Sequence, residues 1–397
     1  MRHPTTSPIR IYLAILFATV LVVSGCQSVT ANDLEWDDSG YTVSTVADGF
    51  EYPWGLDFLP QSEGNYALVT ERTGAFYLLD LDTGGRTRIQ GEVPEVTTRG
   101  QGGLLDVAVH PEFSHGENWV YVTYAAANET GNEFAAHLGR GRFNTETAVL
   151  EDFEVLLVAE PFFDGTGHYG SRVVFDHDGY LFMSTGDRRI RDSSQNLQNY
   201  WGTTIRLNPD GSIPEDNPFV DNDDVLDGIY TYGHRNVQGM TVHPETGDVW
   251  QNEHGQQDGD EINIIDVAGG NYGWPVATYS REYGSGAEIG DLPHERDDIV
   301  NPVYYWDGER YDDGQDGFPP SGMTFARGKL YMGNLPFEYL AEFELEGSSR
   351  ENVEVVSERR ILGNVGRIRD VARNPETGDL YVIADESSAP VLRLQFD

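Results

Sequence analysis

Residues 232–239 read YGHRNVQG, an arginine and an asparagine side by side between glycines in a chain that is overwhelmingly negative. A guanidinium beside a carboxamide offers fixed donors to an electron-rich group, so Arg235 and Asn236 are binding candidates. A second candidate lies in GTGHYGSRVVF (165–175), where His168 occupies a glycine-rich loop ahead of a strand and Arg172 enters that strand. A loop imidazole is free to act as a general base near neutral pH, and a nearby arginine keeps it unprotonated. A lone histidine among ten is as readily structural, and spacing alone leaves both readings open.

Three further stretches carry polar chemistry. EHGQQDGDEINIIDVAGGNYGW (253–274) gathers Glu253, Asp258, Asp260 and Glu261 around glycines, with Tyr272 following. Hard cations such as calcium take six to eight oxygens, and glycine turns let carbonyls converge on them. In so acidic a chain the same cluster is equally a solvated loop. GRIRDV (366–371) alternates Arg367 and Arg369, which at strand period point to one side and invite a carboxylate or phosphate, or the protein's own acids. RGQGGLLDVAVHP (99–111) adds Gln101 ahead of a strand. No phosphate-binding loop, CxxC, HExxH, nucleophile elbow or GxGxxG feeding a βαβ unit is present, which argues against the usual nicotinamide chemistry.

The elements that position these residues come from an internal repeat. MTVHPETGDVWQNEHG (240–255) reads as a strand, a Pro/Gly turn and a second strand. The layout recurs at 55–72, 105–124, 173–187, 323–335 and 371–385. Hairpins with one apolar face cannot bury it alone, and repeating them radially closes a core without long sheet edges. The pattern predicts an all-β fold, a six-bladed β-propeller formed by 31–397 as one domain. Turn-rich insertions at 188–232 and 276–318 are expected to carry function.

Composition sets further bounds. Lys+Arg number 26 against 66 Asp+Glu, a formal net charge of -40, and the one lysine is Lys329. That balance excludes nucleic acid and anionic membrane as partners. At roughly 1 M ionic strength the Debye length is about 3 Å, so an acidic surface of this kind suits a halophile. Residues 1–30 read as a signal peptide: Arg2 and Arg10 precede the apolar run 11–23, then VSGCQS places Cys26, the single cysteine, where cleavage is expected. The stretch resembles a lipoprotein signal, which implies a periplasmic or cell-surface protein whose only membrane contact is a lipid on Cys26.

Taken together, GQGGLLDVAVHP, GHYGSR, GHRNVQG, EHGQQDGDEIN, GGNYGW, PPSGM and RIRDV resemble, in order and number, the soluble quinoprotein aldose sugar dehydrogenases, the family of soluble glucose dehydrogenase. The match runs from about residue 52 to 396. The resemblance implies an oxidoreductase that uses pyrroloquinoline quinone (PQQ) and calcium to convert aldoses to lactones and passes electrons to a separate acceptor. It implies that His168 is the base, that Arg235 and Asn236 face the quinone oxygens, and that Gln101, Ser321, Gly322, Asn334, Arg367 and Arg369 line the cofactor. Backbone carbonyls of Gly255 and Gln256 would hold one calcium, Glu261 and Tyr272 a second. Gln256 stands where soluble glucose dehydrogenase has proline, and Gly167 where it has aspartate. The same architecture also suits a non-catalytic propeller binding a glycan or protein, or a calcium-dependent lactonase. Neither oligomeric state nor preferred aldose is fixed by these residues.

Overall fold

Each copy of the repeated hairpin forms the two inner strands of one blade of a six-bladed β-propeller. The computed structural model describes residues 39–308 and 317–397; residues 1–38, with Cys26 and the expected signal peptide, and the stretch 309–316 lie outside the described residues. The inner strands are Pro53–Phe58, Leu104–Val109, Gly170–Phe175, Val237–Val242, Pro320–Ala326 and Ile368–Arg373. Each blade continues outward by antiparallel pairing to four strands, and the second gains a fifth where Gln90–Gly91 pairs in parallel with Val149–Val158. In the last blade the outermost strand is Tyr41–Phe50, paired antiparallel with Ala389–Phe396 so that Tyr41 faces Phe396. That pairing ties the earliest described strand to the latest and closes the ring without a long free edge.

The hairpin turns explain several of the histidines and the recurring proline. In HPETGD the ring Nδ1 of His243 accepts the N–H groups of Glu245 and Thr246; in NPETGD the Oδ1 of Asn374 accepts those of Glu376 and Thr377. His110 does the same for Glu112, so these are turn caps rather than site residues. Aromatic and aliphatic side chains fill the spaces between neighbouring blades, as where Trp250 packs with Trp306, Phe318 and Phe343.

Every inner strand carries a register shift at the same place, just before Leu56, Val107, Val173, Gly239, Met323 and Asp370. A bulge re-aims the side chains beside it. The repeat position at the axis is then occupied by Gly55, Asp106, Arg172, Gly239, Gly322 and Asp370. Arg172 spans the axis: its Nη1 lies 3.1 Å from Asp106 and 3.0 Å from Asp370, its Nε donates to the Gln238 carbonyl and its Nη2 to the Arg369 carbonyl. Glycine is required opposite these acids, because a Cβ at Gly322 would overlap the Asp370 carboxylate and one at Gly55 would stand 2.7 Å from Asp106 Oδ1. Asp106 and Asp370 also accept backbone N–H groups from the next blade, those of Val173 and Leu56, so the same carboxylates stitch the ring.

Candidate functional site

On one side of the Arg172 plug lies a cavity of about 170 Å³. Its floor comes from the residues beside the bulges, Trp54, Leu105, Gln238 and Arg369, and its wall from residues that follow the second strands, Arg72, His254, Leu335 and Asp385. Gln101, Tyr169, Asn236 and Arg367 complete it. Three arginines thus face a space that holds one acid, Asp385. Burial alone would raise Asp385, yet Arg369, with Arg72 and Arg367, holds it below the usual carboxylate range.

His168 is fixed at the rim. Its backbone sits in the left-handed region at φ 51°, and its N–H donates to Gln101 Oε1 at 2.7 Å, while the Gln101 N–H returns to the Thr166 carbonyl. The ring Nδ1 lies 2.6 Å from Asp187 Oδ1, and the other Asp187 oxygen accepts the indole N–H of Trp274 at 2.8 Å. With Nδ1 committed to Asp187 as donor, Nε2 is the free, proton-accepting nitrogen. Burial lowers the imidazole pKa; Asp187 opposes this, and Arg235 and Arg189 add to the lowering. Arg172, expected to act on His168, is instead committed to the axial plug. A Cβ at Gly167 would lie 2.6 Å from Arg189 Nε, so a side chain there requires the exposed Arg189 side chain to move aside.

Arg235 is buried, with Nη1 donating to the His254 carbonyl, Nη2 to Gln256 Oε1, and its backbone N–H to Glu253. Asn236 Oδ1 accepts the Gly170 N–H. His254, whose carbonyl accepts Arg235 Nη1, has Nε2 2.6 Å from the Pro320 carbonyl, and burial pushes its pKa down to about 3, so it stays neutral.

Arg367 and Arg369 both reach Asp385, Arg369 at 2.7 Å and Arg367 at 3.9 Å. They do so differently from the expected strand alternation: Arg367 precedes the strand and is half exposed, while Arg369 sits on the bulge and is buried. Ser321 and Gly322 do not line the cavity. Ser321 occupies the bulge position of its blade, but its short hydroxyl is spent on the Ile368 carbonyl, and Gly322 faces Asp370 at the axis. Asn334 is fully buried one residue short of the wall, where Leu335 lines the cavity.

The expected metal ligands divide. Gly255 donates its N–H to Asp260 and Gln256 its N–H to Ser280 Oγ, beside Arg235. Glu261 is buried with Glu253, and Asn263 Nδ2 donates to both at 3.2 Å. Burial first, then the neighbouring Glu253, drives the Glu261 pKa well up. These two acids, with Arg235, Gly255 and Tyr272, border a partly open space of about 10 Å³, the size of one small occupant. The Tyr272 hydroxyl donates to the Ile264 carbonyl and accepts Arg350 Nη2 at 3.2 Å, so it is already engaged at both its proton and its oxygen. Among the described residues no three His, Cys, Asp or Glu side chains gather as a metal site.

Several buried polar atoms around the cavity have no partner among the described residues: Arg369 Nε, Arg235 Nε, Asp385 Oδ1, Asn334 Nδ2 and the Tyr169 hydroxyl. Unsatisfied buried donors beside three guanidiniums fit a planar, multiply anionic, oxygen-rich group. Nothing in the sequence reading singles out Asp187, Trp274, His254, Arg72 or Asp385. A signal did exist for three of them: aligning the six repeats puts Arg72, His254 and Asp385 at one position, directly after the second strand's pairing partners Glu71, Glu253 and Ala384.

A profile of the glucose / sorbosone dehydrogenase family matches residues 50–393. The aldose sugar dehydrogenase YliI of Escherichia coli K12 is 36% identical over 365 residues, covering 89% of this chain and 92% of the relative. A solved glucose dehydrogenase superimposes with a TM-score of 0.80 at 37% identity, over 90% of this chain and 100% of the other. The PQQ-bound aldose sugar dehydrogenase of Streptomyces coelicolor does so with a TM-score of 0.71 at 28% identity, over 91% and 100%.

Proposed function

The chain belongs to the glucose / sorbosone dehydrogenase family, and from that premise we propose that it oxidises aldose sugars at the anomeric carbon, with PQQ in the arginine-walled cavity and His168 as general base. The observation that carries the reading is the His168–Asp187 pair at the rim of a cavity lined by Arg72, Arg367 and Arg369. When bound, the quinone accepts the hydride from C1, so that aldose loses one hydride and one proton and leaves as lactone. His168 Nε2 takes the proton from the anomeric hydroxyl, and Asp187 holds the tautomer and steadies the imidazolium that forms. Asn236 in the cavity lining and the neighbouring Arg235, whose Nε has no partner among the described residues, would donate to the quinone oxygens, and Arg369 and Arg367 would hold the cofactor's carboxylates. Supplying quinone and calcium to purified protein and following dye reduction with an aldose tests the reading; bound quinone without turnover of any aldose overturns it.

The pH profile follows from the base. A general base works unprotonated, and the His168 pKa lies below the ordinary imidazole value of about 6.5. The acid limb of kcat is therefore expected below pH 6.5; a limb above pH 7 contradicts a base depressed by burial and Arg235.

We assign the Glu253–Glu261 space to calcium, because Glu253 has His234 and the Arg235 N–H as partners whereas Glu261 has only the shared Asn263 carboxamide and a carboxylate neighbour, so a cation between the two would keep both ionised. At calcium a hundredfold above its Kd the melting temperature should rise by roughly 3–4 °C. The Glu261→Gln protein should lose that rise; calcium-independent melting of the chelator-treated wild type contradicts the site.

A further inference from the structure

The insertion at 276–318 raises a hairpin, Ala277–Arg281 paired with Glu288–Gly290, that ends in a tight turn closed by the Glu282 N–H to the Ala287 carbonyl. Contacts with three residues hold the hairpin down. Glu282 takes both Nη groups of Arg191 from the other insertion, at 2.5 and 2.7 Å; the Gly284 N–H donates to Gln257 Oε1 at 3.1 Å; and Arg281 pairs with the buried Asp258. Arg191 in turn lies over the Trp274 ring, whose indole N–H binds Asp187. The turn is therefore pinned between the element that carries the His168–Asp187 pair and the Gly255–Gln257 loop that holds Arg235.

At the tip of this pinned turn stands Tyr283, 64% exposed, the most exposed large hydrophobic side chain among the described residues. Its two chain neighbours are tied toward the site, Glu282 to Arg191 and Gly284 to Gln257, the residue after the Gln256 that accepts Arg235 Nη2. An aromatic ring left in water at a site mouth and held there by bidentate ion pairing is prepared for a ligand with an apolar face. A pyranose has such a face: its C–H groups lie on one side of the ring and its hydroxyls around the edge, so a tyrosine packs on the former and leaves the latter to polar neighbours.

We propose that Tyr283 is the aldose-contacting wall of the site, a specificity-determining residue that stacks on the C–H face of the sugar, and that the Arg191–Glu282 latch sets its position. This rests on the aldose reading above. Tyr283 neither holds the quinone nor moves a proton, so its effect belongs in sugar affinity.

The test compares quinone-loaded wild type, Tyr283→Ala, Tyr283→Phe and Glu282→Gln for kcat, KM for glucose and for a disaccharide, KM for the dye, and quinone affinity by absorbance titration. In Tyr283→Ala the KM for glucose should rise about tenfold, with kcat within about twofold and quinone affinity unchanged. Tyr283→Phe should recover most of the loss, and Glu282→Gln should raise KM by about threefold. An unchanged sugar KM in Tyr283→Ala, or a change confined to the dye, overturns the assignment while leaving the aldose reading intact. A quinone-loaded wild type that oxidises no aldose fells that reading and this inference together.

Discussion

His168→Ala is expected to lower kcat for aldose oxidation by about a thousandfold, within the 10²–10⁴ range that a positioned general base supplies. Quinone affinity should be unchanged, because the cavity is walled by Arg72, Arg367, Arg369 and Asp385, and none of these bonds to the imidazole. The fold should survive as well, since the ring's one side-chain partner is Asp187, which keeps the Trp274 indole and the Arg189 N–H. Stopped-flow reduction of bound quinone by sugar separates the outcomes. A variant that binds quinone and turns over at the wild-type rate removes the base; one that no longer binds quinone moves His168 from chemistry to cofactor retention.

Arg172→Met carries the largest expected effect on stability. The side chain is buried between Asp106 and Asp370 and gives its remaining N–H groups to the Gln238 and Arg369 carbonyls. Methionine fills much of the volume and supplies no charge, which leaves two buried carboxylates facing each other at a cost of about 3–5 kcal/mol. The cost depends on pH in a definite direction. Burial already raises Asp106 to about 7, and Asp370 is raised too, above their unfolded values. A folded-state carboxylate with a raised pKa binds extra protons, so stability falls as pH rises through that range. The Met variant should therefore be closest to wild type near pH 5 and furthest from it near pH 8, measured by urea unfolding. A loss equal at both values would mean that packing, not charge, is what Arg172 contributes. Because Gln238 and Arg369 line the cavity, the variant should also bind quinone more weakly at pH 8.

The blades were legible because their signal is local: a strand, a capped turn and a strand within about sixteen residues, repeated six times. Arg235, Asn236 and His168 drew attention as polar residues between glycines, but spacing alone left His168 open between a structural and a catalytic reading, and their roles came from the family resemblance of the motifs around them. Asp187 was not legible, because its role depends on contacts 19 residues back to His168 and 87 forward to Trp274, and in sequence it merely ends a strand with STGD. Arg367 and Arg369 illustrate a subtler limit. Strand alternation put them on one side, and they do share Asp385, yet the cause is a bulge that no residue pattern in a single copy reveals. The same bulge accounts for Ser321, which holds the position that gives Arg369 and Gln238 their access to the cavity but is too short to use it. Arg172 was placed beside His168 by proximity in sequence, whereas the strand turns it to the axis and leaves Arg235, 67 residues on, to depress the base.

One absorption experiment tests the central claim most directly: titrate the purified protein with PQQ in calcium, then add a single equivalent of aldose without dye. The account predicts saturable binding of one quinone per chain, followed by conversion of the bound chromophore to its reduced form at a rate that drops below pH 6.5. Quinone that saturates the cavity and stays oxidised with every aldose tried would contradict it.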